Sequence, residues 1–241
     1  YTNSSKTGIL DILFINKGTV LNYILNDNNL TFTSKNTKNN YEGSIDFKPF
    51  YLTTNLSYDG LSFKNLFKKD SILIDLIKNK LFINKNLNAL IKLKVGDITN
   101  IDELNNLLLN INVKEGSLDL SESKIIWKND LKIKLSESEI VFDENEIELI
   151  GSVNLDFKNL ENFYRSFQVK KINRKKINQI KLDFKYNFDD KKISFDNVRI
   201  DNLPNLKVQK FLDNFNTDVN KTLNKITFKN FVSNFFQSYA G

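Results

Sequence analysis

The chain has 241 residues, 40% of them hydrophobic, with 20 Phe and 8 Tyr but only 8 Gly and 2 Pro. This composition excludes disorder and long flexible linkers. There is no His and no Cys, which excludes Ser-His-Asp and Cys-His catalysis, disulfides and Cys-ligated zinc. The net charge is +6, yet Lys mostly alternates with Asp, Glu and Asn, as in Lys181-Leu182-Asp183-Phe184-Lys185. Such charge reads as a solvated face, whereas a nucleic-acid surface needs clustered cations. There is also no Met, so the sequence is read as a piece beginning downstream of the true N-terminus. No apolar run reaches the roughly 20 residues that span a bilayer, and no signal peptide is visible.

In chain order, Ile9 to Ile15, Thr19 to Leu25 and Leu30 to Ser34 read as a meander, with turns at Asn16-Lys17-Gly18 and Asn26-Asp27-Asn28-Asn29. Glu42 to Lys48 and Tyr51 to Tyr58 flank Pro49, which marks an edge or a bend. Phe63 to Asn79 breaks to helical period through Leu66, Phe67, Leu73, Ile74 and Ile77. Further strands are expected at Leu87 to Val95, Leu107 to Val113, Ser117 to Lys124, Leu131 to Leu135, Ile140 to Phe142 and Ile147 to Phe157. Asn159 to Gln168 sets Leu160, Phe163, Tyr164 and Phe167 on one helical stripe, with Asn159 as N-cap.

The clearest signal follows. Ile180, Leu182, Phe184, Tyr186 and Phe188 alternate with Lys181, Asp183, Lys185 and Asn187, giving a strand with one apolar and one polar face. After a turn at Asp189 to Lys192, Ile193 and Phe195 resume the alternation, and Val198 and Ile200 continue it after a one-residue shift. The tail carries two helical stripes: Val208, Phe211, Leu212, Phe215 and Val219, then Phe228, Phe231, Val232, Phe235 and Phe236. The division expected is a β domain over 1–203 and a helical tail over 204–241. Turns at short intervals favour antiparallel pairing. Three segments, Glu42 to Phe50, Glu115 to Ser123 and Ile150 to Lys158, share a Gly-Ser-apolar-polar-apolar core. That is either a repeated hairpin unit or the common look of strands opening after glycine.

Three blocks carry a resemblance to a known family: Tyr58 to Val95 (YDGLSFKNLFKKDSILIDLIKNKLFINKNLNALIKLKV), Ile111 to Phe157 and Asn159 to Asp201. In order and texture, over about three quarters of the chain, they resemble the C-terminal region of the AsmA-like proteins of the bacterial envelope. The family has no catalytic signature. The resemblance implies a mostly β fold, a long curved antiparallel sheet forming an apolar groove, with a few short amphipathic helices. It also implies a periplasmic location, anchorage to the inner membrane through a segment outside this chain, and phospholipid as cargo moved toward the outer membrane in the manner of bridge-like lipid-transfer proteins.

On this reading the groove is lined by Ile180, Leu182, Phe184, Tyr186, Ile193 and Phe195, together with Leu107, Leu109, Ile111, Val113, Val153, Leu155 and Phe157. The basic run Lys170, Lys171, Arg174, Lys175 and Lys176 is the candidate contact with headgroups or a membrane surface; a solvated connection is its plainer reading. Trp127, the sole Trp, belongs at a sheet rim or in packing. Asp70 with Asp75, and Glu137 with Glu139, are the nearest approach to paired carboxylates, and Asp143 to Glu146 reads as a turn because the calcium-loop pattern is absent. No enzyme, cofactor or metal is expected; phospholipid acyl chains, a membrane and envelope proteins are the expected partners. The alternative is a β-sandwich or β-solenoid scaffold that binds no lipid. An outer-membrane barrel fits less well because helical segments interrupt the strands.

Overall fold

A computed structural model describes residues 5–14, 17–34, 39–62, 79, 81–99, 101–142, 146–190, 192–217 and 225–241. The strands are β1 (Lys6–Phe14), β2 (Lys17–Leu25), β3 (Asn29–Ser34), β4 (Asn39–Phe47), β5 (Phe50–Ser62), β6 (Asn88–Thr99), β7 (Leu104–Lys114), β8 (Ser117–Asp119), β9 (Lys124–Trp127), β10 (Leu131–Phe142), β11 (Ile147–Phe157), β12 (Gln179–Asn187), β13 (Lys192–Ile200) and β14 (Leu203–Pro204). The helices are α1 (Leu160–Ser166), α2 (Leu206–Thr217) and α3 (Lys225–Ala240), with 3-10 turns at Leu81–Ile83 and Lys171–Asn173. The fold is therefore mostly β with few helices and a helical C-terminus, as expected.

Hydrogen-bonded neighbours follow chain order, with β9 set aside from the main path. The pairing is mixed: β5 and β6 run parallel, with Tyr51 opposite Asn88 and Ser62 opposite Thr99. A parallel pair needs a long crossover, and the chain between Ser62 and Asn88 supplies its length. The helix expected over Phe63 to Asn79 falls in this connection, where only Asn79 of that span is described; Asp70, Asp75, Asp143, Glu144 and Asn145 also lie outside the described residues. Where Leu131 to Leu135 and Ile140 to Phe142 read as two strands, the structure has one, β10. The Lys48–Pro49 bond, at the tip between β4 and β5, is cis.

The chain forms two compact units, one of residues 1–125 with 139–142, the other of 126–138 with 143–241. In the second unit the helical tail and the last strands share a core, whereas the sequence reading set its boundary at 203/204.

Within the first unit, register decides what each face carries. Directly paired residues point the same way. Leu30 pairs with Ile45, and Ile45 with Leu52. Leu52, Thr54, Leu56 and Tyr58 meet Ala89, Ile91, Leu93 and Val95, which in turn meet Val113, Ile111, Leu109 and Leu107. Val113 then faces Leu118, which faces Ile140. The reverse face runs Thr33, Glu42, Asn55, Lys92, Asn110 through the same pairings. One face is thus apolar across successive strands, and the reverse is mostly polar from β3 to β7 but also carries Ile9, Val20, Ile24, Tyr51, Leu90 and Leu108.

Two glycines on the apolar face sit under aromatic rings. Gly43 is opposite Phe32, whose ring lies 2.5 Å from where a Cβ would go, with the Thr53 carbonyl against the same point. Gly8 is covered in the same way by the ring of Tyr23. Any larger residue would push the ring off the sheet.

In the second unit, β11, β12 and β13 alternate likewise, and the one-residue shift expected near Val198 is a register shift against Lys181/Asp183. Here helices cover much of the apolar face. Phe163 and Tyr164 of α1 with its C-cap Phe167, Val208 and Leu212 of α2, and Val232, Phe235 and Phe236 of α3 form one core with Ile180, Leu182, Val198 and Ile200. Val208 and Leu212 are 0% exposed. The caps explain why these helices begin where they do. The Asn159 Oδ1 accepts the Asn162 N–H at 3.2 Å, and the Asn205 Oδ1 accepts the Val208 N–H at 3.0 Å.

Candidate functional site

The structure sorts the groove candidates into three groups. Leu107, Leu109, Ile111 and Val113 lie side by side on the apolar face of β7 in the first unit, and all four are buried. Among the described residues this unit has no α-helix, and its one short turn, Leu81–Ile83, buries Phe82. On the same face Leu21, Tyr41 and Tyr58 are buried as well, while Leu10 on β1 is 46% exposed. Between these limits, Phe32, Ile45, Leu52, Leu56 and Ile91 are half-buried. They present apolar side chains that the described residues only partly cover.

The second group is Ile180, Leu182, Val153, Leu155, Phe157 and Phe195. Ile180 and Leu182 are core members, and the other four pack against that core. Phe157 meets Phe163 edge-on with centroids 5.1 Å apart, and Phe195 lies 5.9 Å from Phe231 and 6.0 Å from Phe215. Helical aromatics occupy the space that the groove reading gave to a ligand. Phe184, Tyr186 and Ile193 form the third group. They pair across β11 to β13, Phe184 with Gly151 and Phe195, Tyr186 with Leu149 and Ile193, and remain half-buried beyond the helix-covered core. Burial raises the Tyr186 phenol above its ordinary range.

On the reverse face of the second unit, charge is neutralised locally. Lys185 pairs with Glu148 at 2.7 Å, a hydrogen bond that raises the Lys185 ammonium above its ordinary range. Lys181 pairs with Glu137 at 3.8 Å. Asp183 accepts from Ser152 Oγ at 2.6 Å and from Asn197 Nδ2 at 2.9 Å. Glu137 is thus a salt-bridge partner, while Glu139 sits opposite Asp119 on β8. Trp127 packs on Phe167, centroids 5.4 Å apart, beside the core.

The edge of this unit is closed by side chains that the sequence reading did not single out. The Asn216 amide donates to the Phe195 carbonyl at 2.8 Å and accepts the Phe195 N–H at 3.0 Å. The Gln209 Oε1 accepts the Val198 N–H at 3.1 Å. The unpaired backbone groups of an edge strand are thereby satisfied from α2.

The basic run divides. Lys170, Lys171, Lys175 and Lys176 are exposed. Arg174 is held: its Nε donates to the Val169 carbonyl at 3.0 Å and its guanidinium pairs with Glu161. The Tyr164 hydroxyl donates to the Lys175 carbonyl at 2.6 Å, and burial, the larger cause, raises its pKa well above the ordinary phenol range. No helix among the described residues is long and apolar enough to cross a membrane. Among the described residues no cluster of acidic side chains suited to a metal ion forms. No family model, no curated protein and no solved structure matches the chain.

Proposed function

We propose that the chain is a non-enzymatic lipid-binding module of the AsmA-like kind. It holds or passes phospholipid acyl chains along the apolar face of β1 to β8, between inner and outer membranes, in a periplasmic protein tethered to the inner membrane by a segment outside this chain. The observation that carries this reading is the register of the first unit. It gathers mainly Leu, Ile, Val and aromatic side chains on one face of β3 to β8, with mainly Thr, Asn, Glu and Lys on the other. An extended apolar face must meet another layer or a ligand. At about 0.8 kcal/mol per buried methylene, a chain of roughly sixteen carbons gains on the order of 10 kcal/mol before ordering costs. That is enough for occupancy through contacts that carry no hydrogen bonds and so permit sliding.

The second unit supports the other reading for itself alone. Much of its apolar face is filled by α1, α2 and α3, with Phe184, Tyr186 and Ile193 left half-buried beyond them, so it acts as a scaffold that closes most of its own sheet. The test is extraction and mass spectrometry of lipid co-purifying with the folded chain. Stoichiometric phospholipid, lost in Leu56→Asp and Phe32→Asp but kept in the reverse-face variants Asn55→Asp and Thr31→Asp, supports the proposal. A well-folded, lipid-free chain makes the scaffold reading the better one throughout.

A further inference from the structure

One end of the second unit gathers an exposed cationic and aliphatic surface. The 3-10 turn Lys171–Asn173 holds Ile172 out at 83% exposure, flanked by the exposed Lys170, Lys171, Lys175 and Lys176. The turn that follows β13 lies at the same end, because the Asp201 carboxylate accepts the Asn178 and Gln179 N–H groups at 2.9 and 3.0 Å. Just beyond it, Leu203 is 71% and Leu206 83% exposed. Lys207 follows, its ammonium bonded to the Gly241 carbonyl at the end of α3.

Scattered exposed aliphatics are ordinary on a protein surface. Ile172, set among lysines, and Leu203 and Leu206, beyond the turn that Asp201 ties to the start of β12, are each more than two-thirds exposed and are not a scatter. Among the described residues none of the four lysines has a carboxylate partner, since Glu161 is engaged by Arg165 and Arg174 and Asp201 by backbone amides. The mount is rigid: Asn173 N–H bonds the Lys170 carbonyl at 2.9 Å, Arg174 clamps Val169, and Tyr164 clamps Lys175. Side chains on an ordered turn lose little further freedom on insertion.

We propose that this end docks on an anionic lipid bilayer, with Ile172, Leu203 and Leu206 entering the acyl boundary and the four lysines at the phosphate level. Cations near an anionic leaflet and inserted aliphatic side chains are the two terms that hold peripheral proteins at membranes. This surface is separate from the acyl-chain face of the first unit and can fail without it.

The test is co-sedimentation of the 241-residue chain with vesicles of phosphatidylcholine containing phosphatidylglycerol, against vesicles of phosphatidylcholine alone. Binding to the anionic vesicles is expected, weakening as salt rises. Each lysine changed to Gln should lower affinity about five-fold, and Ile172→Asp at least about ten-fold. Co-purified lipid should be unchanged in these surface variants, and Leu56→Asp should keep vesicle binding. Equal binding to both vesicle types, no binding, or full binding by Ile172→Asp together with the four-lysine variant overturns the proposal, whatever the lipid occupancy of the first unit.

Discussion

The two units pose the same physical problem. In both, strands alternate so that one face is apolar and the other polar. In the second unit, three helices deliver Phe163, Phe167, Leu212, Phe235 and Phe236 onto that face, and α2 also satisfies the open edge of β13 through Asn216 and Gln209. The first unit has no α-helix among its described residues, and its apolar face mixes buried residues such as Leu21, Tyr41 and Val113 with half-buried ones such as Phe32 and Leu56. The difference teaches that an alternating strand states that a face must be covered, and leaves open by what.

The largest expected effect separates the units by stability. Leu212→Asp places a charge at a fully buried site and should cost more than about 4 kcal/mol, seen as loss of cooperative unfolding by circular dichroism. Leu56→Asp, at a half-buried site, should cost much less while removing lipid. Equal losses from both would mean that the first unit's face is also a closed protein core.

A smaller effect is expected from Gly43→Val. It displaces the Phe32 ring and meets the Thr53 carbonyl, costing roughly 1–3 kcal/mol in urea titrations. Phe32→Ala should relieve the ring clash but leave the carbonyl contact, so the double variant should recover only part of the loss. Smaller again, Asn216→Ala should cost about 1–2 kcal/mol by orphaning two backbone groups of Phe195. Faster amide exchange at Phe195, with β7 unchanged, would confine that effect to the second unit.

The smallest effect at neutral pH is the phenol linkage. Tyr58 in the first unit and Tyr164 in the second have pKa values raised chiefly by burial, from an ordinary value of 10.0. The folded state therefore holds these protons more tightly than the unfolded state. Their contribution is complete below pH 10 and is lost as pH rises beyond it. Tyr58→Phe and Tyr164→Phe should each flatten the alkaline fall in melting temperature; an unchanged slope in both would contradict the burial of these hydroxyls.

Much of this was legible in the sequence because local pattern carries it. The strand Ile147–Phe157, the shift before Val198 and the Asn159 cap follow from side-chain period and capping chemistry. The parallel partner of β5 was not legible, since pairing across the connection from Ser62 to Asn88 leaves no local trace. Nor was the fate of Ile180 and Leu182, whose alternation is the same whether lipid or helix covers them. Arg174 looked like one more cation of a basic run, because its partner Glu161 lies thirteen residues away. The Asn205 cap and the Asn216 clamp were written in ordinary Asn residues of an Asn-rich chain, with nothing to set them apart.

Acyl chains on the apolar face of the first unit would touch Leu56 and miss Asn55. The most direct measurement places a photo-crosslinking amino acid at Leu56 or at its reverse-face neighbour Asn55 and weighs the adducts by mass spectrometry. Phospholipid adducts at Leu56 and none at Asn55 are the predicted result. Equal labelling at both positions, or none at either in a folded chain, would contradict it.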